Sequence, residues 1–425
     1  MLPRGIKSVL TKTASDVVVL SSIRTPICRA YKGQLKDAYP EELLSVVLRA
    51  TLSDARAMGL RDAGVIDDVA VGVVLSELGG SKAARMALNH VGYPNSTSLY
   101  TVNRACSSSL QAIALIAAQI RTGVISAGIG AGMESMTRNY GSRAVPQDVW
   151  PALRESPNRH ARDCVMPMGL TSENIAARYS VSRADQDAFA AESHRRAARA
   201  RGSGAFDAEI RPVTTRFRPV DSESGRTGEE ERTVTVTADD GIREGASTQA
   251  LARLRPAFLP EDQGGTSTAG NSSQVSDGAA ATLLMRRGTA AQLGLDGHII
   301  GRFVSALSVG CDPDEMGVGP AVAIPRLLGQ HGLDLSDIHR WEINEAFASQ
   351  AIYCVRRLGL QSAWERGRVN PDGGAIALGH PLGATGARMT STLLHGLARD
   401  GGGELGVVSM CVGTGMGMAG LFARE

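Results

Sequence analysis

Residues 98–132, "SLYTVNRACSSSLQAIALIAAQIRTGVISAGIGAG", decide the fold class. A short run, "SLYTVN", stops at a polar corner. From Cys106 an alanine-rich run places apolar residues at helical spacing, and after Gly123 a second short run, "SAGIGAG", resumes. Neither short run has the apolar–polar alternation of a one-sided strand, so both read as strands buried on two faces with a crossover helix between them. Working outward, "DVVVLSS" and "VAVGVVL" extend the strand set, and "PEELLSVVLRATLSDARAMG" and "SKAARMALNHVG" extend the helices. After His298 the rhythm returns in "HIIGRFVSALSVG", "AVAIPRLLGQHG", "HRWEINEA", "FASQAIYCVRRLG", "GVVSMCVG" and "GMAGLFA". The expectation is an α/β protein of two similar halves with mixed sheets and layered helices, although no residue-level repeat joins the halves.

Composition fits that frame. With 43% hydrophobic residues in 425, there is material for a large core and two or three domains. Aromatics are only 4% while glycines number 49, so packing must bring small and branched side chains close together. A net charge of +2, without aromatic residues interleaved with basic ones, gives no sign of a nucleic-acid or membrane-surface partner. No apolar run reaches membrane-spanning length. The six cysteines form no CxxC pair and no zinc-type cluster, which points to a reducing compartment and no metal site.

Between the halves the rhythm breaks. The segment holds helical pieces such as "TSENIAARYSVSRADQDAFAAESHRRAARAR" and a polar tract, "RPVDSESGRTGEEER" (218–232), of turn and disorder composition. We divide the chain into an N-terminal α/β half (1–136), an inserted loop domain (137–276) expected to carry substrate contacts, a return to the first half (277–297) and a C-terminal half (298–425). The basic start, "MLPRGIKSVLTK", reads either as the stub of a mitochondrial targeting helix or as a frayed terminus, and the final "ARE" is not an SKL-type peroxisomal address. No clear targeting signal is present.

Four residues with chemistry to offer lie at predicted strand ends. Cys106 sits where a strand meets a helix N-terminus, an arrangement that favours thiolate, at the sheet edge where α/β proteins bind ligands. On position alone a buried, inert cysteine explains it as well. His380 lies in "GGAIALGHPLGATGAR", where glycines allow close approach and Pro381 begins the next helix, or where a simple turn holds the ring. Asn344, in "EINEAFASQA", could cap a helix. Cys411, in "SMCVGTGMG", follows a strand.

Together these segments closely resemble the thiolase family. The resemblance rests on "NRACSSSLQA", "GMESM", "NEAFASQA", "GGAIALGHPLGATGAR" and "CVGTGMG", with "RDCVMPMGLTSENIAARY", "TAGNSSQVSDGAAA" and "PDEMGVGP" in the middle. It covers about residues 16–422 and is strongest to the peroxisomal type of 3-ketoacyl-CoA thiolase. It implies a fold of duplicated halves with five-stranded sheets and an inserted loop domain. It also implies thiolytic cleavage of 3-ketoacyl-CoA by CoA, as in fatty-acid β-oxidation, through an acyl-cysteine intermediate.

By that resemblance Cys106 is the nucleophile. His380 takes its proton and polarises a thioester oxygen, and Cys411 protonates the leaving enolate and activates CoA. A thiol at Cys411 suits this task if its pKa lies near that of CoA. One oxyanion site would use His380 with a water held by Asn344, the other the backbone N–H groups of Cys106 and Gly413. Ser273 would contact CoA, and Met168 and Met316 would line the substrate. Glu345 reads as a support for loop geometry. The resemblance further implies no permanently bound cofactor, CoA as co-substrate, a homodimer or tetramer, and a peroxisomal location, with mitochondrial or cytosolic alternatives.

Three positions depart from the peroxisomal pattern: Ala105 for Gln, Ser109 for Gly and Asp372 for Asn. Ser109, in the first turn behind Cys106, could crowd the nucleophile or lend it a hydrogen bond. Pro167 stands where short-chain biosynthetic members have histidine, which removes a polar ring from the acyl side. A biosynthetic acetoacetyl-CoA thiolase and an enzyme of a specialised acyl-chain pathway are the alternatives in the family. Cys411 argues against a decarboxylating condensing enzyme. "GNSSQ" and Cys411 argue against a cysteine hydrolase.

Overall fold

The alternation of strand and helix builds one frame twice. The computed structural model describes residues 4–140, 144–146, 148–220, 227, 228 and 230–425. The N-terminal half contains β1 (Val17–Arg24), β2 (Cys28–Arg29), β3 (Asp68–Gly72), β4 (Ser98–Val102) and β5 (Ala127–Ser135). An excursion holds β6 (Val213–Phe217) paired with β7 (Arg232–Val236), and β8 (Ser276–Arg286) returns to the first sheet. β9 (Gly301–Gly310), β10 (Arg340–Ile343), β11 (Leu405–Val412) and β12 (Met416–Arg424) form the second. The longer helices are α1 (Pro40–Ala57), α2 (Ser81–Val91), α3 (Ser108–Thr122), α4 (Met168–Arg178), α5 (Arg183–Gly202), α6 (Gly319–His331), α7 (Ala348–Arg357) and α8 (Thr385–Asp400).

The first sheet runs β1-β8-β5-β3-β4 across its width, with the two-residue β2 also on β8. The second runs β9-β12-β11-β10 and continues at Val369, which bridges in parallel to Trp341. Taken in chain order within each half, both sheets read first, fifth, fourth, second, third. In both, the first two junctions are antiparallel and the last two parallel. The duplication that residue identities do not reveal is therefore written in the topology. Two details differ from the expected pair of separate five-stranded sheets. The fifth strand of the second sheet shrinks to one bridge at Val369, and the sheets join where Val17–Val19 pair with Gly301–Phe303.

The strands are buried on both faces, as their unbroken apolar runs require. Val18, Leu20, Val69 and Val71 face a core with α1 and α2, whereas Val17, Val19 and Ala70 face the opposite way onto α3. In the second sheet Val407, Ala419 and Leu421 face α6 and α7, and Val408, Met410, Met418 and Phe422 face α8. α3 and α8 share one core, so they form a middle layer between the sheets, with helices outside each: five layers. Within the first sheet the strand "SLYTV" is the exception. It is β4, at the sheet edge, and it is partly exposed rather than covered on both faces. Close packing of the middle layer explains the small residues in β5: a Cβ on Gly130 would lie 2.6 Å from Ile113 of α3.

The excursion is tied to this frame by buried polar groups. Arg24 of β1 donates to Glu209 (2.6 Å) and to both oxygens of Asp239 (2.7 and 2.9 Å). Of the polar tract 218–232, residues 221–226 and 229 lie outside those described, and its last residue, Arg232, opens β7. Near the chain start, residues 1–3 are likewise outside, but Ile6–Leu10 form a short helix. Its Val9 is buried in the second half, the Gly5 N–H donates to the His331 carbonyl (2.7 Å), and Arg302 donates to the carbonyls of Val9 and Thr11 (both 2.8 Å). Residues 5–11 are thus docked, not frayed.

Candidate active site

The Cys106 corner is built by short-range polar contacts. Ala105 adopts φ +43, a left-handed conformation that is costly for a residue with a Cβ. Neighbours hold it there. The Ala105 N–H donates to Asn103 Oδ1 (2.9 Å), and Ser108 Oγ accepts from Arg104 N–H (2.9 Å) while donating to the Ala105 carbonyl (2.6 Å). α3 begins at Ser108, so Cys106 stands just ahead of its first turn. The thiol is buried among Ala30, Leu75, Met136 and Leu382.

Burial pushes the Cys106 thiol up to about 11. The N–H groups of Gly413 and of Cys106 itself work the other way, and Glu134 adds to the rise. A helix N-terminus favours thiolate, but desolvation outweighs it here, and among the described residues no cation offsets it. Cys411, fully buried beside Met316, Ala346 and Phe347, is raised well above the ordinary thiol by burial and by the cysteines around it, Cys106 first among them. In the substrate-free protein burial thus moves the Cys411 thiol upward.

His380 is buried with its backbone N–H on the Gln274 carbonyl (3.0 Å). Its Nδ1 lies 2.6 Å from Thr385 Oγ1, and Thr385 donates its hydroxyl proton to the Pro381 carbonyl (2.9 Å). With that proton committed, Nδ1 carries the ring hydrogen and Nε2 is left bare. Nε2 faces Asn344 Nδ2 at 3.4 Å. Burial, helped by the Arg388 cation, lowers His380 to about 3, so the imidazole is neutral at neutral pH. Asn344 is fixed by its N–H to the Ser409 carbonyl (2.9 Å), and its Oδ1 is buried without a partner among the described residues.

The remaining predicted residues fall around these. Gly413 turns between β11 and β12, its N–H directed at Cys106. Met316 packs against Cys411, and Met168, at the start of α4, covers that cluster from the excursion. Ser273 is partly buried, its N–H on the Ala346 carbonyl (2.9 Å). Glu345 accepts from Ser193 Oγ (2.6 Å), Asn370 Nδ2 (2.8 Å) and the Ile376 N–H (3.3 Å), and so ties α5, the segment after Val369 and the short helix Ala375–Leu378 together.

The departures also find physical explanations. Ser109 does not crowd Cys106: its Oγ accepts the Ala387 N–H (2.9 Å), in the first turn of α8, which has no cap of its own. Asp372 joins a buried ion cluster, with Arg340 at 2.6 Å and Arg399 at 2.5 Å holding the carboxyl below its ordinary range against the effect of burial. Two supports escaped the sequence reading, Thr385 and Glu134. The first had only its place in the "GHPLGAT" segment to mark it, and the second only its place in "GMESM".

Residues 17–288 match the thiolase N-terminal domain and residues 298–424 the thiolase C-terminal domain. The chain belongs to the thiolase family. It is 51% identical to the mouse peroxisomal 3-ketoacyl-CoA thiolase B over 97% of this chain and 92% of the mouse one. Among solved structures, the dimeric peroxisomal thiolase of Saccharomyces cerevisiae superposes with a TM-score of 0.87 at 42% identity, covering 99% of this chain and all of the yeast one. The acetyl-CoA acetyltransferase of Bacillus anthracis gives 0.82 at 33% identity, covering 96% of this chain and 99% of the bacterial one.

Proposed function

We propose that this protein cleaves 3-ketoacyl-CoA with CoA, giving acetyl-CoA and an acyl-CoA shortened by two carbons. The observation that carries this reading is the meeting of two buried thiols, Cys106 and Cys411, with a neutral, Nε2-bare His380 beside Asn344. His380 Nε2 takes the Cys106 proton as Sγ attacks the 3-keto carbon, so the step leaves an imidazolium and puts the negative charge on the former keto oxygen. The oxygen of the tetrahedral adduct is received by the N–H groups of Cys106 and Gly413. Collapse breaks the C2–C3 bond. The electron pair leaves as the acetyl-CoA enolate, whose oxygen is received by His380 and a water on Asn344, and Cys411 gives the enolate carbon a proton. Cys106 then holds the acyl group as a thioester. Incoming CoA loses its thiol proton to Cys411 and attacks that thioester, and Cys106 leaves and takes back the proton held by His380, which returns the site to its starting state.

Ser273 serves the CoA side, and Met168 and Met316 the acyl side. CoA is a co-substrate, and no step calls for a bound metal. Assembly as a dimer, or a pair of dimers, accords with the partly exposed edge strand β4. Among the described residues no helix is long and apolar enough to cross a membrane. The names of the curated relatives support a peroxisomal setting.

A series of 3-ketoacyl-CoA substrates tests both reaction and substrate class. With Pro167 before Met168, kcat/KM should rise from four carbons toward medium chains, since each methylene buried contributes about 0.8 kcal/mol. Activity confined to acetoacetyl-CoA and falling with each added carbon pair would favour the biosynthetic role instead.

A further inference from the structure

Glu134, the penultimate residue of β5, is fully buried, and no cation pairs with it among the described residues. Its carboxylate accepts three backbone N–H groups: Val74 on Oε2 (3.2 Å), Leu75 on Oε1 (3.3 Å) and Gly383 on Oε2 (3.0 Å). Val74 and Leu75 follow β3, in the first half. Gly383 belongs to the loop that carries His380, in the second. That loop lies directly on the strand ends: a Cβ on Gly383 would fall 2.6 Å from the Met133 carbonyl oxygen and 2.8 Å from that of Gly72. Leu75 and Leu382, on the two segments so joined, both pack against Cys106.

We propose that Glu134 is a positioning residue, its carboxylate fixing the His380 loop to the segment after β3 and thereby the base to the nucleophile. This rests on the roles given above to Cys106 and His380. Among the described residues, the titratable groups that act on or with Glu134 are Asp277 on β8 and Cys106 at the α3 corner, while the loop of Gly383 carries the neutral His380. Burial raises Glu134 to about 7, the three N–H donors oppose it, and Asp277 adds to the rise. Once ionised, the carboxylate disfavours a thiolate at Cys106. Glu134 therefore has a second, opposite effect on reactivity, and this separates positioning from mere support of the fold.

The test is Glu134→Gln in the full chain. An amide has one acceptor oxygen, so at least one of the three N–H groups meets an NH2. The expected result is a loss in kcat of about 10–100-fold from a displaced base, with KM little changed, while the pH profile of Cys106 alkylation by iodoacetamide moves to lower pH. Glu134→Asp keeps the charge and should keep the wild-type alkylation profile while recovering part of the rate. An unchanged kcat in Glu134→Gln, or a loss with no movement of the profile, overturns the proposal. If Glu134→Gln does not fold, the aspartate variant decides by the same two readouts. Failure of both to fold also overturns the proposal, which holds that strand pairing, not this carboxylate, maintains the fold. Failure of wild-type Cys106 to accept an acyl group would instead sink the catalytic roles themselves.

Discussion

In the N-terminal half the link from β5 to β8 runs through residues 136–275; in the C-terminal half the matching link, β11 to β12, is residues 413–415. The order and direction of the strands are shared. The short link turns tightly and aims the Gly413 N–H at Cys106. The long one brings Met168 over Cys411 and Ser193 onto Glu345. Corresponding places in the two halves also carry different chemistry. The loops that lead into α3 and α8 hold Cys106 and His380, and the penultimate residues of β5 and β11 are Glu134 and Cys411. A symmetric frame thus presents an asymmetric set of groups. We attribute proton transfer to the second half and the acyl group to the first.

The largest expected effect tests that division. His380→Ala and Cys411→Ala, both in the second half, should each lower turnover by about 10²–10⁴-fold or more with the fold intact. Cys411→Ser should remain badly impaired, since a hydroxyl is a far weaker acid than a thiol. Steady-state thiolysis with circular dichroism as a control checks this, and near-normal turnover in either alanine variant would break the comparison.

A smaller effect follows from His380 being buried neutral. Its folded value, about 3, lies below the ordinary 6.5, so the unfolded chain takes up the proton first. Stability is complete above pH 6.5 and is lost as pH falls toward 3, by up to about 1.4 kcal/mol per pH unit from this group. His194, in the excursion, is lowered by burial to about 4 and acts in the same direction. His380→Asn should therefore flatten the acid limb of a denaturation series without abolishing it. An unaltered limb would mean that His380 is charged in the fold.

The smallest effect concerns the seam. Ser109→Gly removes the acceptor that α3 offers to the first turn of α8. A loss of about 1 kcal/mol is expected, with activity nearly unchanged. A large drop in kcat with no change in thermal midpoint would place Ser109 in the substrate's path after all.

Much of this was legible in the sequence. The strands were readable because burial on two faces leaves unbroken apolar runs, and the Cys106 corner was readable because strand, polar turn and helix follow one another within a few residues. The support role read for Glu345 agrees with its three hydrogen bonds. What could not be read depends on contacts between distant segments. The direction of the Cys106 shift turns on burial by Leu75, Met136 and Leu382, not on the local helix end. Ser109 looked like a neighbour of the nucleophile, yet Cys106 lies ahead of the helix, which begins at Ser108, and the Ser109 hydroxyl is taken up by the Ala387 N–H of α8. Glu134 looked like part of a motif with no task, because its three donors come from segments about 60 and 250 residues away. The edge position of β4 follows from strand order, which local pattern does not contain.

The division of labour between the halves is tested most directly by trapping the intermediate. Mixing the enzyme with a 3-ketoacyl-CoA in the absence of free CoA, then digesting at low pH and weighing the peptides, should find one acyl group on the peptide containing Cys106 and none on that containing Cys411. The label should leave on addition of CoA. Acylation of Cys411, or acetyl-CoA release with Cys106 never acylated, would contradict the account.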